Sequence, residues 1–332
     1  MPPNPTTMQR LHYRIEEVHE LVDGTLNCFD QFALSTTAAT NEVFTYHQAR
    51  KQPDWHLFFE AMEKEINDHE EREHWTMVER SSIPRGTKTI KAIWSFKRKR
   101  FPDGRINKHK ARLCAHGGMQ RWGENYWETY SPVVNMITVK LLLVISKLHG
   151  LDSKSIDFVL AFPQAELDVD IWMDLPIGFT PADDPDNRGK YVLKLNRNLY
   201  GLKQASLNWF EKLKTGLMDR DFVPSKIDPC LYLKNGMMVL SYVDDCIIVG
   251  RSMKEIDEFV HSMSNGPENF VLTDEGDIDK FLGLEINHLP DGNFAISQPH
   301  LMNRTTNSTL EDNGFDAHTN VRLTPAALPR AR

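Results

Sequence analysis

"VLSYVDDCIIVG", residues 239–250, decides the fold. Val239, Leu240, Tyr242, Val243, Ile247, Ile248 and Val249 read as a buried strand, yet Asp244 and Asp245 stand side by side in its middle. An isolated carboxylate in an apolar setting costs several kcal/mol or takes up a proton, and a like charge beside it raises that cost. The pair is tolerable at a tight reversal, with "MMVLSY" entering and "CIIVG" leaving as strands. Asn235-Gly236 is a second reversal signal, of type I′, that pairs "CLYLK" with "MMVLSY".

Outward from this hairpin, "LDSKSIDFVLAF" predicts a short strand running into a turn, with Asp157 at its end. "TKTIKAIWSFKRKR" alternates apolar with basic residues, and "FPDGRINKHKARLCAHG" returns as a second strand about Pro102-Asp103-Gly104. Trp55, Phe58, Phe59, Met62 and Ile66 recur at helical spacing after Asp54, a candidate cap. "TVKLLLVISKLHG" predicts a buried helix stopped by Gly150. "LYGLKQASLNWFEKLKTGLM" predicts a turn and a long amphipathic helix, with Trp209, Leu213 and Leu217 on one stripe. "MKEIDEFVHSM" is another helix, and "FLGLEINHLPDGNFAISQ" a hairpin about Asp291-Gly292. This mixed order predicts an α+β class with an antiparallel sheet. Residues 1–50 read as a polar, largely disordered segment, and no internal repeat is visible.

The 332 residues, 40% hydrophobic and 26% charged, suit a soluble globular protein. There is no signal peptide pattern and no apolar run of membrane-spanning length, so neither secretion nor a membrane partner is expected. Cys28, Cys114, Cys230 and Cys246 are scattered without a C-x-x-C pair, which fits a reducing compartment. The net charge of −7 hides an asymmetry: residues 85–121 hold twelve Lys/Arg against one acid, whereas residues 54–80 hold nine acids against three Lys/Arg. A basic strand pair is a candidate reader of a phosphate backbone, although a merely solvated face explains it about as well.

"HEEREH", residues 69–74, is not a metal helix, because His69 and His74 fall roughly 140° apart on a helix. A solvated helix end is the expectation, and Gly117-Gly118 reads only as a turn. The aspartates differ. Asp157 and Asp244-Asp245 all lie at the ends of apolar strands, and carboxylates converging there suit Mg²⁺, a hard cation completed by water and substrate phosphates.

With these residues on the page, the chain resembles a Ty1/copia-type retrotransposon reverse transcriptase, the polymerase section of a Pol polyprotein. "YVDD" resembles the catalytic box and "SIDFVLAFPQAEL" the first-aspartate motif. "NLYGLKQASLNWF", "HKARLCAHGGMQRWGENYWETYSPVV" and "FLGLEI" resemble three further family segments, and the motifs follow family order over roughly residues 54–300.

The resemblance implies a right-hand polymerase, with fingers and palm over 51–290 and a truncated thumb or connection segment over 291–332. It implies Asp157, Asp244 and Asp245 as catalytic ligands of two Mg²⁺ ions, Mn²⁺ being an alternative, with Asp157 and Asp244 bridging. Lys110, Arg112, Phe162, Tyr200, Gly201, Lys203 and Gln204 are the implied nucleotide-binding residues, and Tyr242, Leu282 and Gly283 the primer/template contacts. An ordinary core role for Phe162 has comparable weight. Implied partners are a dNTP and an RNA or DNA template–primer, with integrase and ribonuclease H sections expected of the family but not seen in this chain. The implied location is a cytoplasmic virus-like particle, the nucleus, or both. Departures from the family pattern at Pro163, Ala165, His116 and "LKQASL" spare the three aspartates but allow reduced activity. The competing expectation is a truncated, inactive relic that binds nucleic acid without polymerising.

Overall fold

The computed structural model describes residues 43–100, 105–179, 189–289 and 294–298. Of the segment expected to be disordered, residues 1–42 lie outside the described residues, and its last residues form β1 (Val43–Phe44) and α1 (Tyr46–Ala49), which lead into α2 (Trp55–Glu71). β2 (Trp75–Glu79), β3 (Ala92–Arg100) and β4 (Ile106–Ala115) follow. β1, β3 and β4 form one sheet; β2, β7 (Tyr191–Arg197) and β6 (Glu166–Asp174) form another. α2 buries Phe58, Met62 and Ile66 against Phe96, Ala111 and Leu113. The expected turn residues Pro102-Asp103-Gly104 lie outside the described residues, but β3 and β4 pair antiparallel as expected.

The central sheet has six strands in the order β12 (Leu272–Gly276), β5 (Asp152–Phe158), β11 (Asp245–Gly250), β10 (Met237–Tyr242), β9 (Leu231–Lys234), β8 (Val223–Pro224). Its ladders are antiparallel. Alternation along the strands serves two cores. Val239, Cys246, Ile248, Ile156 and Phe158 pack with Trp209, Leu213 and Leu217 of α5 (Ala205–Met218) and Ile256 and Phe259 of α6 (Met253–Asn265). Leu240, Ile247 and Val249 point the other way, onto Val139, Leu142 and Leu143 of α3 (Met136–Leu148). The short α4 (Ala161–Gln164) follows β5. A small sheet of β13 (Lys280–Phe281), β14 (Leu284–His288) and β15 (Phe294–Ser297) joins the α3 side through Phe281, Leu284 and Ile286. Asp291-Gly292 lies outside the described residues.

Three expectations need correction. α3 is not buried all round: Ile137, Leu141, Val144 and Leu148 form an exposed apolar stripe, with Leu148 76% exposed. An all-apolar run carries no information about which face finds a partner. Asp54 precedes α2 without a side-chain capping bond. Its carboxylate instead accepts from Arg98 Nη2 at 2.6 Å and sits 2.6 Å from His109 Nε2, which outweighs a cap bond and holds the carboxyl well below the usual range. "HEEREH" is not a solvated helix end. Glu73 takes φ +52, the chain reverses, and His74 leaves the helix to set its Nδ1 2.8 Å from that of His69, both rings buried.

Candidate active site

β10 and β11 are joined through a two-residue loop, Val243-Asp244, between the paired residues Tyr242 and Asp245. Val243 adopts φ +50, a backbone region that a β-branched residue rarely enters. Both carbonyls of this loop accept hydrogen bonds. The Val243 carbonyl accepts from Trp209 Nε1 at 2.8 Å, and the Asp244 carbonyl from the amide of Phe158 at 2.7 Å.

β11 pairs with β5 so that Asp245 stands directly opposite Asp157. Partners in an antiparallel ladder share a face. The inward neighbours Ile156, Phe158 and Cys246 belong to the α5–α6 core, so Asp157 and Asp245 take the opposite face, which also carries Tyr242. Asp157 and Asp244 are half-buried and Asp245 is exposed. Burial first, then the carboxylate of Glu275, raises the Asp157 pKa, while Lys110, Lys99 and Arg112 oppose the rise. The basic hairpin therefore faces the strand ends. Lys110 feels Asp244, but burial and the cations Arg112 and Lys99 hold it down at about 8.

Carboxylate oxygens are the donors a hard cation prefers, and here Lys99, Lys110 and Arg112 act on them. Among the described residues, no three His, Cys, Asp or Glu side chains close into a protein-only metal cage. Mg²⁺ is ordinarily held by one or two carboxylates, with waters and substrate phosphates completing its shell. Of the carboxylates expected to hold it, Asp157 and Asp245 stand opposite each other in one ladder and Asp244 lies in the adjoining loop.

The remaining expected residues fall into three groups. Arg112 lies with its guanidinium carbon 4.9 Å from the centre of the Tyr200 ring, and Tyr200 meets Phe162 at 5.0 Å between centroids. Arg112, Tyr200 and Phe162 are thus brought together on the hairpin side. Gly201, Lys203 and Gln204 build a joint between two sequence motifs. Gly201, at φ +90, lies so close to β4 that a Cβ would sit 2.2 Å from the Ala115 carbonyl oxygen, and a Cβ on Gly117 would sit 2.1 Å from that of Gly201. Gly117 is therefore more than the plain turn residue expected. Gln120 Nε2 donates to Gln204 Oε1 at 2.8 Å, Gln204 is buried, and Lys203 Nζ donates to the Tyr126 hydroxyl at 3.0 Å.

Tyr242 and Leu282 pack against one cluster on the α3 side. Leu282 (φ +49) and Gly283 (φ +77) form the two-residue turn between β13 and β14. Sequence reasoning passed over Lys99 and Glu275, which face Asp157, and Trp209, whose ring it assigned only to the core. Lys99 was legible as one more cation on the hairpin. Glu275 carried no signal of its own.

An antiparallel α+β domain with carboxylates on adjacent strand ends, overlooked by a basic hairpin, is suited to chemistry on phosphates. Residues 72–320 match the family model described as reverse transcriptase (RNA-dependent DNA polymerase). The chain is 32% identical over 311 residues to the retrovirus-related Pol polyprotein from transposon RE2 of Arabidopsis thaliana, covering 91% of this chain and 20% of that one. Its counterpart from transposon TNT 1-94 of Nicotiana tabacum is 31% identical over 239 residues, covering 70% and 17%. That from RE1 of A. thaliana is 33% identical over 259 residues, covering 77% and 17%. The chain belongs to the reverse transcriptase family of RNA-directed DNA polymerases, in its copia-type branch. It spans about a fifth of the length of these relatives or less.

Proposed function

We propose that this chain is the polymerase section of a copia-type retroelement product, adding nucleotides to a primer on an RNA or DNA template. The observation that carries the reading is the register of β5 on β11, which sets Asp157 opposite Asp245 beside the loop of Asp244, with Lys99, Lys110 and Arg112 facing them. The primer 3′-hydroxyl attacks the α-phosphate of a dNTP, the bond to the β-phosphate breaks, and pyrophosphate leaves. Asp157 and Asp244 would hold two Mg²⁺ ions and Asp245 would balance their charge; once bound, such ions would supply positive charge to the transferred phosphate. Lys110 and Arg112 grip the triphosphate, where charge-assisted contacts gain most as pyrophosphate departs. Phe162, backed by Tyr200, lies under the incoming sugar, and Lys203 and Gln204 keep that floor in place.

In this reading the six-stranded sheet is the palm and the units built on β1–β4 are the fingers; the expected thumb segment, 291–332, lies outside the described residues except for 294–298. Tyr242, Leu282 and Gly283 approach the primer end. The work is expected in a cytoplasmic virus-like particle, the nucleus, or both, beside integrase and ribonuclease H sections.

The test is dNTP incorporation on oligo(dT)-primed poly(rA) with Mg²⁺, comparing the chain with its Asp244→Asn variant. Extension by the parent and none by the variant is the expected result. A parent that binds the template–primer but never extends it refutes the enzyme reading and leaves the binding-only relic.

A further inference from the structure

Trp209 is a tryptophan of α5 that is only 2% exposed, and its indole N–H donates 2.8 Å to the carbonyl of Val243. A buried indole N–H needs an acceptor somewhere. Here the acceptor is the one residue of the Asp244 loop whose backbone is strained, with φ +50 on a β-branched side chain. The same indole packs edge-on against Phe158, 5.1 Å between centroids, and Phe158 both follows Asp157 and donates its amide to the Asp244 carbonyl. One ring therefore contacts Val243, which precedes Asp244, and Phe158, which follows Asp157.

We propose that Trp209 is a positioning residue of the polymerase site, fixing the Asp244 loop against the strand end of Asp157. The inference rests on the polymerase reading above. Without the indole hydrogen bond, the Val243 carbonyl loses this anchor and the strained Val243 relaxes. The two carboxylates then lose their relative placement while the fold stays intact. A tryptophan that merely filled the core would behave differently, because deleting its N–H would cost stability and nothing else.

The experiment uses the full chain and the variant Trp209→Phe, which keeps an aromatic ring and deletes the donor. Where Trp209→Phe does not fold, benzothienylalanine at position 209 preserves the indole shape without the N–H. Phe259→Leu, which thins the same core on α6 away from the loop, is the stability control. The readouts are the thermal midpoint, template–primer affinity, kcat and KM for dNTP, and Mn²⁺ affinity by paramagnetic resonance without nucleotide.

Loss of the donor is expected to lower kcat about tenfold or more. Mn²⁺ binding weakens with it, while template–primer affinity and KM hold. Phe259→Leu lowers the midpoint and leaves kcat and Mn²⁺ affinity at the parental level. The proposal is overturned if donor loss leaves kcat and Mn²⁺ affinity unchanged, or if Phe259→Leu lowers them equally. A parent that incorporates no nucleotide refutes the polymerase reading alone, since the Mn²⁺ arm still decides Trp209. An Asp244→Asn variant that binds Mn²⁺ as the parent does overturns both.

Discussion

Replacing Gly201 by alanine adds a single methyl group, and the structure sets the cost. The new Cβ would lie 2.2 Å from the Ala115 carbonyl oxygen, 3.3 Å from its carbon and 3.4 Å from its nitrogen, all backbone atoms that no rotamer change can clear. The residue would also hold φ +90, which an L-residue adopts at about 1–2 kcal/mol. Forcing β4 and the Tyr200–Leu202 segment apart adds about 1–3 kcal/mol, typical of overpacking. It also stretches the 2.8 Å bond from the Ala115 amide to the Tyr200 carbonyl. The sum is about 2–5 kcal/mol, a large fraction of an ordinary domain's stability. Denaturant titration is expected to show a lowered midpoint with an unchanged slope, and thermal melting a fall of about 5–15 °C. Because Tyr200 moves with the segment and backs Arg112 and Phe162, KM for dNTP rises in whatever fraction folds. A Gly201→Ala chain with the parental midpoint and KM would refute the reasoning, since it would mean that Gly201 does not lie against the Ala115 backbone.

Two further predictions concern pH. Burial first, then electrostatic repulsion from the His69, Arg72 and Arg197 side, holds the His74 imidazole down at about 3 against an ordinary 6.5. The unfolded chain therefore binds the extra proton first, so stability is lost as pH falls from about 6.5 towards 3; His74→Gln flattens that limb, and an unchanged acid limb in chemical denaturation would contradict it. Lys110, held at about 8, loses its charge as pH rises through that value, so KM for dNTP climbs above pH 8 in the parent and stays flat in Lys110→Arg, by steady-state kinetics at each pH.

Local chemistry was legible wherever period and turn residues agreed. The place of the Asn235-Gly236 hairpin, the alternation of β3 and β4 and the amphipathic stripes of α2 and α5 all read correctly, because each depends on neighbours within a few residues; the expected type I′ turn does not form, since of its two central residues only Gly236 has a positive φ. Misreadings came where a side chain had a choice of partners. Asp54 had a helix cap within reach, but Arg98 and His109 arrive from strands far along the chain. His74 was placed by helical geometry, which ends one turn before it. The apolar run of α3 fixed a helix but not which side a neighbour would cover.

The sequence by itself determined the three aspartates, the basic hairpin, the order of motifs and hence the family, because these depend on residue identity and spacing alone. Tertiary structure decided which of those residues meet. The pairing of β5 with β11 that sets Asp157 opposite Asp245, the interlocked backbones of Gly117 and Gly201, and the grip of Trp209 on Val243 all join segments distant in the chain. Such contacts form only when the apolar faces of several elements bury together, and that cooperative choice is written in no single stretch of residues.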